Sequence, residues 1–135
     1  MRKFTLALTL LVTGCISTAG QLESQSDSRA TVKSTENYQA VYQHILLRAR
    51  ECLDLGGTIA ASNKINAQLN DELGTGEISY YLDNVVDMYF AVVKVKRTGG
   101  GAAVDISTGS QPGWANEKLL KQLKAWAEGG TTCQP

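Results

Sequence analysis

The sequence predicts an α+β domain: a four-stranded antiparallel meander with an N-terminal and a C-terminal helix packed on one face. Three observations carry this. Apolar residues recur at three- and four-residue spacing near residues 38–53. The period then drops to two across residues 64–107. Helical spacing returns at 114–128. With 135 residues, 43% hydrophobic and 19% charged, the chain has room for one domain. Its 13 basic and 13 acidic side chains balance. That excludes a basic nucleic-acid-binding domain and a disordered polyampholyte.

The first helix is read from Tyr38, Val41, Tyr42, Ile45, Ala49, Cys52 and Leu53, with Ser34 or Thr35 as its N-cap and Gly56-Gly57 as its stop. Leu46 and Leu47 fall off the stripe, so more than one side of this helix is expected to be covered. Ile65, Ala67 and Leu69 alternate with polar residues as the first strand, and Ile78, Tyr80 and Leu82 as the second. A loop at Asp83-Asn84-Val85 sets Leu82 opposite Val86, Tyr80 opposite Met88 and Ile78 opposite Phe90. The third strand runs from Val86 to Arg97, and Ala102 to Ser107 is the fourth. The last helix uses Leu119, Leu120, Leu123, Trp126 and Ala127, with Asn116 as cap and Gly129-Gly130 as stop.

The third strand changes parity. Val86, Met88, Phe90 and Val92 are apolar at even positions, then Val93 and Val95 at odd ones. A one-residue slip sends every later side chain to the opposite face. A two-residue turn at Gly99-Gly100 pairs Val95 with Val104, Val93 with Ile106 and Lys94 with Asp105. A β-bulge near Ala91–Val93 would return Val93 and Val95 to the core. The alternative is an exposed patch formed by Val93, Val95, Val104 and Ile106.

The N-terminus has its own pattern. Met1-Arg2-Lys3 precedes a short apolar run from Phe4 to Val12, the pattern of a secretory signal peptide over residues 1–14. Val12-Thr13-Gly14-Cys15 resembles the lipobox of bacterial lipoproteins. The resemblance covers the signal segment alone. It implies cleavage before Cys15, a diacylglycerol on its thiol and further acylation of the new amine. Ile16, where Asp would retain the protein at the inner membrane, implies sorting to the outer membrane, facing the periplasm. Losing Arg2 and Lys3 leaves a slight excess of acid, which argues against nucleic-acid binding. Residues 15–34, the lipidated Cys and a polar stretch without apolar period, read as a flexible tether. Roughly 20 such residues would reach about 25 Å from the membrane to the periplasmic domain at 35–135.

If Cys15 is acylated, two thiols remain in an oxidising compartment, so Cys52 and Cys133 are expected to form a disulfide. No catalytic, cofactor or metal constellation is legible. His44 is the sole His, with Arg48 one turn on, and is assigned a structural or surface role. Asp71/Glu72 and Asp83/Asp87 flank turns. Gly74-Thr75-Gly76 and Gly99-Gly100-Gly101 lack the context of a phosphate loop. The residues singled out for partner binding are Asn66, Gln68, Tyr81 and Tyr89 on the outer sheet face, with Val93 and Val95 if exposed. The expected function is therefore a non-enzymatic, lipid-anchored periplasmic binding or envelope-assembly accessory. It would touch the membrane through acyl chains and recognise a periplasmic or envelope protein. An immunity or inhibitor lipoprotein directed at a toxin or hydrolase is the alternative. A small hydrolase using His44 is the third reading.

Overall fold

The structure, a computed structural model, describes residues 16–26, 28–54 and 61–134. The signal segment, Cys15 and Gly56-Gly57 lie outside the described residues. Eight elements follow one another: α1 (Ala19–Gln25), β1 (Ser28–Ser34), α2 (Tyr38–Leu53), β2 (Ser62–Asn70), β3 (Thr75–Asp83), β4 (Met88–Thr98), β5 (Gly101–Thr108) and α3 (Gly113–Ala127). The five strands form one antiparallel sheet in the order β1-β5-β4-β3-β2. The α+β class holds, and β2 to β5 are the expected meander. The strand count is five rather than four, and the helices number three among the described residues.

The additional elements lie in the stretch expected to be a tether. Thr18 caps α1 by accepting from the Gln21 N–H at 3.1 Å, and Leu22 is fully buried. β1 adds to the edge of β5 with Ala30 opposite Ile106 and Val32 opposite Val104. Its apolar face is only an Ala and a Val, too small to make a visible period. Backbone pairing along β5, rather than side-chain burial alone, holds it in the sheet.

α2 and α3 cover one face of the sheet. The N-cap of α2 is Asn37, whose side chain accepts from the Gln39 N–H at 2.8 Å; Ser34 belongs to β1. Tyr38, Val41, Tyr42, Ile45, Leu46, Ala49, Cys52 and Leu53 are buried. Leu46 is thus a second buried side of the helix, while Leu47 is half exposed. α3 starts at Gly113 after Pro112, without a side-chain cap; Asn116 instead donates from Nδ2 to the Gln111 carbonyl at 2.8 Å. Leu119, Leu123, Trp126 and Ala127 of α3 meet α2 and the sheet in one core with Ile78, Ala91, Val93, Val95, Val104 and Ile106. Close approach needs glycine at two places. A side chain at Gly76 would collide with the Tyr42 ring, and one at Gly101 with the Ser34 carbonyl.

The parity change is resolved by a bulge. β3 and β4 pair Ile78 with Val93 and Tyr80 with Ala91, then Tyr81 with Tyr89, so Phe90 is the extra residue. It lies one residue before the expected interval. Phe90 packs against the core, its ring 5.3 Å from that of Tyr80. The expected pairs of Leu82, Tyr80 and Ile78 are replaced because the loop spans Asn84 to Asp87 and Leu82 faces Met88. The second hairpin has the expected register: Val95 with Val104, Val93 with Ile106 and Lys94 with Asp105.

The C-terminal tail is tied to α2 and α3 at several points. Cys52 and Cys133 are joined by a disulfide. Trp126 Nε1 donates to the Thr132 carbonyl at 2.8 Å, and His44 Nε2 to that of Gly130 at 2.8 Å. Gln122 donates to the Cys133 carbonyl. The single His thus pins the tail to α2.

Candidate binding face

Strand alternation sorts the side chains of β2 to β5 into two sets. The set beneath α2 and α3 is apolar. The other, on the outer face, runs across the sheet in rows. One row is Asn66, Ser79, Val92 and Ser107; the next is Gln68, Glu77, Lys94 and Asp105; the last is Asn70, Thr75, Lys96 and Ala103. α1 lies over β4 and β5 on this face, where Leu22 and Val92 are buried; Ser79 on β3 is buried too. It leaves the rest of the β2–β3–β4 side open.

A shallow groove of about 460 Å³ occupies that open area. Gln68, Asn70, Thr75, Glu77, Lys94 and Lys96 rim it. Its floor is the backbone of Leu69, Gly76 and Val95, which belong to the other face by alternation. Lys94 anchors the wall nearest α1. Its Nζ lies 2.7 Å from Glu23 of α1 and 3.9 Å from Glu77 of β3. The hydrogen bond to Glu23, with the neighbouring acids, pushes the ammonium above its ordinary value and keeps it charged. Lys96 is exposed at the far end. The groove therefore offers amide donors and acceptors, a hydroxyl and charges of both signs.

The four polar and aromatic residues singled out from sequence share this face. Asn66 and Gln68 are exposed on β2, the sheet edge. Tyr81 and Tyr89 stack with centroids 5.0 Å apart and planes 20° apart. Burial, and then Asp87, raises the Tyr89 hydroxyl above its ordinary value, so it remains a neutral donor at physiological pH. The pair lies toward the other end of β3 and β4 from Lys96, so the tyrosines and the groove are separate features.

Val93 and Val95 are corrected. They are 2% and 0% exposed, inside the core with Val104 and Ile106, because the bulge at Phe90 restores their parity. They cannot touch a partner. The same bulge sends Lys94 and Lys96 outward. These residues and Glu23 were missed as site residues, although the alternation of Val93, Lys94, Val95 and Lys96 contains the signal once the bulge is accepted. Glu23 carried no signal, since it sits in the presumed tether.

The acidic turns part company. Asp71 Oδ1 accepts from Gln39 Nε2 at 2.7 Å and from the Tyr38 hydroxyl at 2.9 Å. Those bonds, Gln39 first, hold its carboxyl below the ordinary value. Asp71 thus ties the β2–β3 hairpin to the start of α2. Asp83 and Asp87 flank the β3–β4 loop. Among the described residues, no three His, Cys, Asp or Glu side chains gather as a metal-binding group. No helix among them is long and apolar enough to cross a membrane. No family model matches the chain, and no curated protein or solved structure matches it.

Proposed function

We propose that this is a lipid-anchored periplasmic module that acts by binding an envelope protein through the outer sheet face, without catalysis. The observation that supports it is the groove across β2, β3 and β4. It is polar, open to solvent and bordered by β2, an edge strand of the sheet among the described residues. An extended segment of a partner fits such a place: side chains meet Gln68, Asn70 and Lys96 while its backbone lies along the strands. The anchor is proposed on the lipobox-like Val12-Thr13-Gly14-Cys15, and the outer membrane on Ile16 after the Cys.

Photo-crosslinking in cells tests the binding face. A crosslinker placed at Gln68 or Asn70 of the full chain should give one discrete protein adduct. Lys96→Glu should abolish it, and a crosslinker at Leu47, on the exposed side of α2, should give none. Absence of adducts at both groove positions, or the same adducts at Leu47, overturns the assignment.

A further inference from the structure

We propose that one end of the sheet lies directly on the lipid surface. The end in question carries Ile16, the Asn84–Asp87 loop and the start of α3. This rests on the anchor reading above and adds to it an orientation and a protein–lipid contact.

The path of the chain comes first. The Tyr89 N–H donates to the Ile16 carbonyl at 3.3 Å, so the segment enters the fold beside the first residues of β4. The Ile16 and Leu22 side chains both lie over Gly109. Ser17 donates from its N–H to Gln21 Oε1 at 2.9 Å, and Thr18 caps α1. The chain is therefore tied into the fold already at Ile16 and Ser17. Cys15 is one peptide bond away, about 3.8 Å between Cα atoms. The reach of about 25 Å expected from a free tether is absent. A diacylglycerol on Cys15 would bring the bilayer to this end of the sheet.

The surface at this end suits that neighbour. The β3–β4 loop presents Val85 at 99% exposure and Val86 at 58%, and the first turn of α3 presents Trp114 at 73%. These are three of the five exposed large hydrophobic side chains among the described residues. β3 ends, β4 begins, β5 ends and α3 begins here, so topology gathers them at the same end. Valines at a loop tip can enter the acyl boundary, and Trp favours the headgroup level, where its ring is buried and its N–H stays wet. Lys118, one turn along α3 from Trp114, can extend its ammonium to lipid phosphate. Asp83 and Asp87 limit the depth and favour a zwitterionic surface over a strongly anionic one.

The groove then faces away from the bilayer. Tyr89 and Lys96 are separated along β4 by roughly 23 Å at about 3.3 Å per residue. A partner would approach from the periplasmic side without competing with lipid.

The test uses the full chain, acyl-labelled in cells, purified and placed in phosphatidylethanolamine vesicles with a minority of phosphatidylglycerol and brominated acyl chains. Bromine should quench Trp114 emission about twofold, as for a ring held within the 5–10 Å interfacial layer. In Trp114→Phe the remaining Trp126, buried in the core, should be unaffected. The double variant Val85→Asp, Val86→Asp should keep the acyl label and the disulfide but lose the quenching. A labelled protein without Trp114 quenching, or one in which the double variant quenches like the parent, overturns the contact and leaves the anchor standing. A chain that takes no acyl label overturns the anchor and the contact with it.

Discussion

The two faces of this sheet are built from alternate residues of the same strands, yet they are covered differently. The inner face lies beneath α2 and α3, 16 and 15 residues long, which the Cys52–Cys133 bridge ties together through the tail. Among the described residues the outer face has α1 alone, seven residues with one fully buried side chain, Leu22. Apolar burial is the main favourable term in folding. The inner layer therefore carries most of the stability, and the outer one leaves polar surface open to solvent.

The sharpest way to break this contrast uses neighbours on β4. Val95 is fully buried and Lys96 exposed. Val95→Glu places an unpaired charge in the core and should cost about 4 kcal/mol or more, enough to unfold a marginal domain. Lys96→Glu should change stability by less than about 0.5 kcal/mol. Denaturant titration of both variants measures the difference. A Val95→Glu protein as stable as the parent would end the division into faces.

The disulfide comes next. Removing both Cys52 and Cys133 as Ser should lower unfolding free energy by about 2–4.5 kcal/mol, since the bond closes an 81-residue separation. Mass measurement of the protein purified without reductant should show two hydrogens fewer than the reduced chain. His44→Ala should loosen the same tail by about 1 kcal/mol, the net worth of one hydrogen bond.

Leu22→Ala tests the outer layer. A fully buried Leu truncated to Ala costs about 2–5 kcal/mol when its helix is part of the cooperative fold. A loss under about 0.5 kcal/mol would instead make α1 an appendage, and would weaken the claim that the chain is tied into the fold at Ile16.

Much of the inner layer was legible in the sequence, and little of α1 and β1 was. Tyr38 to Leu53 and Leu119 to Ala127 each present a stripe large enough to announce a helix. Val93, Val95, Val104 and Ile106 announced their register through the glycine turn between them. The parity break announced the bulge, one residue from where Phe90 sits. α1 has one buried Leu, and β1 has Ala30 and Val32; neither makes a period that rises above a polar linker. Their order comes from tertiary partners, Gly109 and Val92 beneath α1 and the free edge of β5 beside β1, which no local pattern reports. The groove was half legible for a related reason. Asn66 and Gln68 follow from alternation alone, whereas Lys94 and Lys96 join them only after the bulge is placed.

The smallest effect separates the faces by pH. On the inner side Asp71 accepts from Gln39 and Tyr38; on the outer side Lys94 donates to Glu23. The Asp71 carboxyl is held below 3.8 in the fold, so its contribution is present above the unfolded value and lost as pH falls through the folded one, below about pH 3.8. The Lys94 ammonium is held above 10.5, so its contribution is present below that unfolded value and lost as pH rises through the folded one. Lys94 is 36% exposed, and solvent screening keeps its pair under about 1 kcal/mol. Thermal midpoints followed across pH should therefore fall at both extremes for separate reasons. Asp71→Asn should flatten the acid limb, because the amide no longer titrates, and should also bring the Tyr38 hydroxyl down toward its ordinary value, because the carboxylate that helps to raise it is gone. Lys94→Met should flatten the alkaline limb. If Asp71→Asn left the acid limb unchanged, the tie between the β2–β3 hairpin and α2 would not contribute to the inner layer, and the contrast between the two faces would need redrawing.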